Sequence, residues 1–188
     1  MRITLVLSLL FIWACSTNPT PPPTLYTNYT ELSGINFQND LVYTDQLNPY
    51  TYRNFYNGAG VGIGDINNDG LSDIYFTGNQ VDNKLYLNEG GFKFRDITAE
   101  AGVACSGVWP TGVTLVDINS DGFLDIYVCK SGNPDVASRH NELFINNGNL
   151  TFTERSKEYG LDVIGLSVQA AFFDYDKDGD LDCYLLTN

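Results

Sequence analysis

The chain has 188 residues and a formal net charge of −13 at pH 7, with one histidine and four cysteines. This length suits one ordinary domain. The acidic balance argues against nucleic acid as a partner, because phosphate groups require clusters of lysine and arginine. Of the 23 acidic residues, 11 lie in three short loops, which leaves few groups for acid–base catalysis. We therefore expect no enzymatic activity in this part of the protein.

Residues 1–15 indicate an export signal. A short positive start precedes an apolar run from Leu5 to Trp13 that is too short to span a bilayer. The run ends in Ile-Trp-Ala-Cys, which is similar to a bacterial lipobox and implies lipidation of Cys15, although Trp13 departs from the small residue usual there. An ordinary secretory signal is the alternative. Residues 16–33 follow as a Pro-rich linker. The first interpretation predicts an outer-membrane or cell-surface lipoprotein, and the second a secreted or periplasmic protein.

Segments rich in aromatic and β-branched residues then predict strands. In the first unit these are 60–65, 73–77, 84–88 and 92–97, and the second unit repeats them at 112–117, 125–129, 142–146 and 150–154. Turns with Gly and Asn at 89–91 and 147–149 suit tight hairpins. A polar segment ends each unit, at 98–102 and 156–160, and we interpret it as one helical turn. No sustained 3.6-residue periodicity occurs beyond residue 30, so the predicted fold class is all-β.

A nine-residue loop pattern occurs three times, each time between the first two predicted strands of a unit. It runs from Asp65 to Asp73 as Asp-Ile-Asn-Asn-Asp-Gly-Leu-Ser-Asp, and it recurs at 117–125 and 174–182. Side-chain oxygens occupy positions 1, 3, 5 and 9, glycine occupies position 6, and position 7 would offer its backbone carbonyl. Ca²⁺ takes six to eight oxygens at about 2.3–2.6 Å, and glycine permits the sharp turn. The pattern predicts one Ca²⁺ per loop.

The predicted ligand residues are Asp65, Asn67, Asp69, Leu71 and Asp73 in the first loop, Asp117, Asn119, Asp121, Phe123 and Asp125 in the second, and Asp174, Asp176, Asp178, Asp180 and Asp182 in the third. Plain Asn/Asp/Gly turns are the alternative, but a turn does not need four oxygen donors at fixed offsets. The loops are not EF-hands, because position 12 is apolar rather than Glu and strands follow instead of helices. Ligation by oxygen alone favours a hard ion over a transition metal.

The sequence around the first loop resembles FG-GAP/VCBS repeats. Asn57-Gly-Ala-Gly-Val-Gly-Ile-Gly leads into the loop, and Ile74-Tyr-Phe-Thr-Gly-Asn79 follows it. The resemblance covers about residues 34–188 and is greatest to bacterial secreted proteins that end in an ASPIC/UnbV domain, a segment not present here. It implies an integrin-α-like β-propeller with four antiparallel strands per blade and calcium in the loop that joins the first two strands. The repeats would span about 58–104, 110–160 and 167–188.

These repeats amount to about two and a half blades, whereas a closed propeller typically has 4–8. We therefore expect a fragment of a longer protein. The resemblance implies an extracellular binding or adhesion module for a protein or glycan, held on the outer membrane by its lipid. The alternative is part of a secreted propeller enzyme whose catalytic residues lie in missing blades. The third unit departs from the pattern at Gln169, where the earlier units have Gly60 and Gly112.

Several other residues have a simple structural interpretation. The glycines of residues 60–64 suit close packing in an innermost strand better than a phosphate loop, because no Lys-Ser/Thr pair or helix follows. The aromatic residues of segment 50–56 are interpreted as core packing, with a sugar platform as the alternative. His140 is interpreted as a solvated loop residue. Cys129 and Cys183 are predicted to face opposite sides of their strands, and with Cys105 they are expected to be buried free thiols.

Overall fold

A computed structural model of the chain describes residues 25–105, 109–132 and 136–188 and is almost entirely β. The predicted lipidation residue Cys15 lies outside the described residues. The first sheet contains β1 (Val61–Gly64), β2 (Asp73–Phe76), β3 (Lys84–Asn88) and β4 (Phe94–Asp96). The second contains β5 (Trp109–Val116), β6 (Asp125–Ser131), β7 (Glu142–Asn146) and β8 (Phe152–Glu154). The third pairs β9 (Ser167–Phe173) with β10 (Asp182–Thr187).

Each complete sheet is a four-stranded antiparallel meander, in the order β1-β2-β3-β4 and β5-β6-β7-β8. The fold class and the strand order are confirmed. The predicted loops join β1 to β2, β5 to β6 and β9 to β10, because Gly64 pairs with Asp73, Val116 with Asp125, and Phe173 with Asp182. The hairpin between β3 and β4 turns at Gly90 and Gly91, whose φ values of +87° and +60° require residues that tolerate the left-handed region.

The sheets stack face to face, so that each pair of neighbours encloses an apolar core. Between the first and second sheets, Tyr75 and Leu85 pack with Ile126 and Val128. Between the second and third, Tyr127 and Cys129 pack with Ala170, Phe172 and Leu185. Alternate residues of β6 therefore pack into the two cores, as expected for a strand that is buried on both faces.

The first strands of the three sheets lie side by side. A Cβ atom added at Gly60 would be 2.6 Å from the carbonyl oxygen of Thr111, and one added at Gly112 would collide with the carbonyl oxygen of Val168. Glycine is needed at these two positions because backbones approach closely there. This finding supports the interpretation of residues 60–64 as a closely packed first strand.

Several details differ from the sequence-based predictions. The strand β5 starts at Trp109, earlier than predicted, with an irregular register between Pro110 and Val113. A short helix, α1 (Thr98–Ala101), follows β4, whereas residues 156–160 form turns. The three cysteines among the described residues are free; Cys129 is buried and Cys105 is partly buried. The expectation was wrong for Cys183, which is exposed because β10 is the edge strand of a two-stranded sheet.

Residues that precede β1 cover part of the outer face of the first sheet. Phe37 stacks on Phe76 with ring centroids 5.0 Å apart, and the backbone N–H of Asn36 donates to the Tyr86 hydroxyl at 3.2 Å. The end faces of the stack are otherwise open, with Ile63 65% exposed at one end and Tyr184 66% exposed at the other. Within the described ranges, no helix has the length and apolar character needed to cross a membrane.

Candidate metal centre

The three loops fold around the carboxylate at their first position. In the first loop, Asp65 accepts hydrogen bonds from the backbone N–H groups of Asp69 at 3.1 Å and Gly70 at 2.7 Å. The second loop repeats both bonds, at 3.0 Å and 2.9 Å to Asp117. The third keeps the bond from the position-6 glycine to Asp174, at 3.2 Å. These bonds turn the chain so that alternate side chains point into the loop.

The side chains at positions 3 and 5 meet inside the loop. In the first loop, the amide of Asn67 donates to Asp69 at 3.0 Å, and the other oxygen of Asp69 accepts the backbone N–H of Leu71 at 2.8 Å. The second loop has the same pair of bonds, at 2.9 Å each. Predicted ligand oxygens are thus already brought together by the loop's own hydrogen bonds.

In the first two loops, the carboxylate at position 9 is the best anchored of the set. Asp73 and Asp125 are fully buried. One oxygen of Asp125 accepts the N–H of Ile118 at 3.0 Å and the other accepts the N–H of Asn146 at 2.8 Å. Asp73 makes the equivalent bonds in its own sheet. Burial raises the pKa of both carboxyl groups, the N–H donors lower it, and neighbouring loop aspartates raise it again.

The third loop has the closest grouping of carboxylates among the described residues. Single oxygens of Asp174, Asp176 and Asp182 all lie within 4.8 Å of one another. Ligands at about 2.3–2.6 Å from one calcium ion are at most roughly 5 Å apart, so this spacing fits a shared ion. At position 7 the exposed side chain of Asp180 has a raised pKa because of the nearby charge of Asp178. A cation placed between these carboxylates would reduce that repulsion.

Two supporting features of the loops were not found from the sequence. The position-4 residues Asn68, Ser120 and Lys177 have φ values of 60° to 64°, in the left-handed region. Of these three residue types, only asparagine is typical of the left-handed conformation, so the sequence did not predict that conformation at position 4. The last residues of β3 and β7, Asn88 and Asn146, donate to the position-9 carboxylate. Both asparagines end the same segment of their unit, Leu-Tyr-Leu-Asn and Leu-Phe-Ile-Asn, and this recurrence could have indicated a shared role.

The position-7 side chains pack outward, over the turn of the outer hairpin. A Cβ atom added at Gly148 would be 3.3 Å from the ring of Phe123, and one added at Gly90 would be 3.9 Å from Leu71. The side chains of Leu71 and Phe123 therefore help to hold the loop against its sheet. Their backbone carbonyls remain the predicted ligand atoms.

The loops are also linked from sheet to sheet. The side-chain amide of Asn68 in the first loop donates to the carbonyl of Gly122 in the second at 2.9 Å. Asn146 of the second sheet donates to the carbonyl of Ile66 in the first loop at 2.8 Å. A change in one loop can therefore affect its neighbour through direct contacts.

Comparison with known proteins finds the same repeat. The FG-GAP-like repeat family matches residues 65–128 and 131–185, which include the three loops. Cartilage acidic protein 1 of Xenopus tropicalis is 31% identical over 136 residues, or 70% of this chain and 19% of that protein. Integrin alpha-8 of Gallus gallus is 37% identical over 87 residues, or 39% of this chain and 8% of that protein.

The chain thus spans about a fifth or less of the length of these curated relatives. Each four-stranded sheet with its loop is therefore an FG-GAP-type β-propeller blade, in agreement with the matched family. The chain belongs to the FG-GAP-like repeat family.

Proposed function

We propose that the protein is a calcium-binding, exported β-propeller module that mediates binding or adhesion. The observation that carries this proposal is the threefold recurrence of one loop, with its carboxylates held by the same backbone N–H groups. Calcium would have a structural role. It would neutralise clustered aspartates and fix the corner between the first two strands of each blade, next to a position-9 carboxylate that is buried in the first two loops.

The first prediction is that each loop binds one Ca²⁺. Extracellular calcium modules have dissociation constants of roughly 10⁻⁴–10⁻³ M. At about 10 mM Ca²⁺ each site would then add about 1.4–2.7 kcal/mol to the free energy of unfolding. Isothermal titration calorimetry should give three sites, and thermal unfolding should shift upward with Ca²⁺ and return with a chelator. Mg²⁺ at the same ionic strength is the control. No heat and no shift up to about 10 mM Ca²⁺ would refute the proposal.

The adhesive role is supported by the similarity to integrin alpha-8 and cartilage acidic protein 1. By analogy, the partner would be an extracellular protein or a glycan, and the full-length protein would be of the ASPIC/UnbV type. A propeller enzyme with its catalytic residues in further blades is the second candidate. Sequencing the complete reading frame distinguishes the two, since only the enzyme needs a cluster of His, Glu or Arg on loops that face the central channel.

The second prediction concerns the membrane anchor at Cys15. If residues 12–15 act as a lipobox, the mature protein starts at Cys15 with two or more acyl chains, which hold stably to a membrane where one chain does not. Metabolic labelling with a fatty-acid analogue should label the wild-type protein, and fractionation should place it in the outer membrane. Cys15→Ser should remove the label and either release the protein or leave it unprocessed. Unlabelled, soluble wild-type protein would instead indicate an ordinary signal peptide.

A further inference from the structure

A cavity of about 220 Å³ opens where the first strands of the three sheets begin. Its walls include Tyr52, Asn54, Asn57, Trp109, Thr111 and Gln169. The strand β1 leads from this cavity at Gly60 to the first metal loop at Asp65. Five residues of extended chain cover about 16 Å, so the cavity and the metal loops lie at opposite ends of the same strands. The cavity is therefore separate from the candidate calcium sites.

The lining of this cavity carries no charged side chain among the described residues, although the chain as a whole has a net charge of −13. A charged ligand in a partly enclosed site needs an opposite charge to offset the loss of its hydration. Neither a lysine or arginine side chain for an anion nor an aspartate or glutamate side chain for a cation lines the walls, which also include Asn188. The lining thus favours an uncharged ligand.

Several amide groups at the cavity are available to a ligand. The side chains of Asn54 and Asn57 make no hydrogen bond to the described residues, and each amide offers two donors and an acceptor oxygen. The amide nitrogen of Gln169 donates to the carbonyl of Val113 at 3.2 Å and to the hydroxyl of Thr114 at 3.0 Å. These bonds fix the orientation of Gln169 and leave its oxygen as an acceptor at the edge of the cavity.

Gln169 distinguishes the third unit from the other two at this cavity. The same position, five residues before the loop, is Gly60 in the first unit and Gly112 in the second. Metal binding does not explain the change, because the loop lies at the other end of the strand. The side chain of Gln169 instead lies across Gly112, whose missing Cβ leaves room for it. The third unit therefore adds a polar group to the cavity that the other two units cannot supply.

Aromatic rings complete the lining. Tyr52 packs edge-to-face on the buried ring of Trp109, with centroids 5.4 Å apart, and its hydroxyl lies 3.1 Å from that of Ser131. Such rings present an apolar surface to C–H groups, while the neighbouring amides pair with hydroxyls. One class of molecule has both features without charge, namely a neutral sugar.

We propose that this cavity binds one unit of a neutral saccharide. The proposal names the ligand class of the adhesion module and so rests on the proposed function. The volume is below the roughly 300–1,000 Å³ typical of sites for drug-sized ligands, which suits a single sugar ring at a chain end. Asn57, Asn54 and Gln169 would bind its hydroxyls, and Tyr52 would contact its apolar face.

Saturation-transfer NMR on the full chain in calcium buffer tests this proposal. The probes are millimolar methyl glycosides of glucose, galactose, mannose, fucose and N-acetylglucosamine, with glucuronate and glucosamine as charged counterparts. We expect transfer to at least one neutral glycoside. Asn57→Ala should weaken its binding by about tenfold, which corresponds to about 1.4 kcal/mol, within the range of one hydrogen bond. Gln169→Gly, which restores the residue of the other units, should also weaken it.

The matched control is Asn36→Ala, which truncates an exposed asparagine away from the cavity. It should bind like the wild type. Calcium titration of the same samples separates the two proposals, since calcium binding without saccharide binding refutes only this inference, and saccharide binding without calcium refutes only the calcium site. The saccharide site would be overturned if the protein bound none of the neutral glycosides or bound charged sugars alone. It would also be overturned if neither Asn57→Ala nor Gln169→Gly changed the binding.

Discussion

Asp125→Ala is expected to lower the free energy of unfolding by about 2–6 kcal/mol even when calcium is chelated. The buried carboxylate of Asp125 accepts the backbone N–H groups of Ile118 and Asn146. Alanine would leave both donors without a partner, at a cost of about 1–3 kcal/mol each. The variant should also lose the calcium-dependent stabilisation of the second loop. Urea unfolding with calcium and with chelator measures the two effects separately.

Two further variants test this explanation. Asp121→Ala changes an exposed residue of the same loop, so it should lose the calcium-dependent stabilisation and little of the stability measured in chelator. Asp125→Asn keeps one acceptor oxygen and should be less destabilising than alanine in chelator, while still weakening calcium binding. If Asp125→Ala and Asp121→Ala are equally stable in chelator, the anchoring role assigned to position 9 is wrong.

Glu142→Ala is expected to cost about 3–5 kcal/mol, because it leaves a buried ammonium group without its counter-ion. The side chain of Lys130 is 1% exposed and forms an ion pair with Glu142, whose side chain is 16% exposed. The pair lies near Cys105, and the pKa of the Cys105 thiol is raised by burial and by the charge of Glu142. The second carboxylate oxygen of Glu142 is buried and has no hydrogen-bond partner among the described residues.

A double-mutant cycle isolates the pair. Lys130→Met with Glu142→Leu replaces both charges by apolar groups of similar size, a change that is often neutral or stabilising for a buried ion pair. The double variant should therefore be more stable than either of its single variants, Glu142→Leu and Lys130→Met. Equilibrium unfolding of all four proteins measures the coupling. A Glu142→Ala protein within about 1 kcal/mol of the wild type, a size usual for exposed ion pairs, would show that the ammonium is solvated.

The short-range structure follows from the sequence. The oxygen-bearing side chains at positions 1, 3 and 5 specify the loop because they accept hydrogen bonds from backbone N–H groups of the same nine residues. The hairpin turns and strand order follow from Gly and Asn between β-forming segments. Residues such as Asp65 and Asp69 could thus be assigned to one site before the fold was known, since every contact that unites them is local.

Other features depended on contacts between strands that are distant in the sequence. The sequence places Asp125 at the end of a loop, but its burial depends on Asn146 at the end of β7. Lys130 and Glu142 likewise pair across the neighbouring strands β6 and β7 of the second sheet. Cys183 was expected to be buried, yet β10 pairs only with β9 among the described strands and the thiol is exposed.

The repeated loop, the all-β blades and the FG-GAP resemblance could be predicted without a structure, because they depend on residue types at fixed local spacing. The position of the Gln169 side chain could not. Its amide donates to Val113 and Thr114 on the neighbouring first strand, and its side chain lines one cavity with Asn54 and Asn57, which lie more than a hundred residues earlier in the chain. Contacts of that range are created by the side-by-side packing of the first strands, which no local pattern encodes.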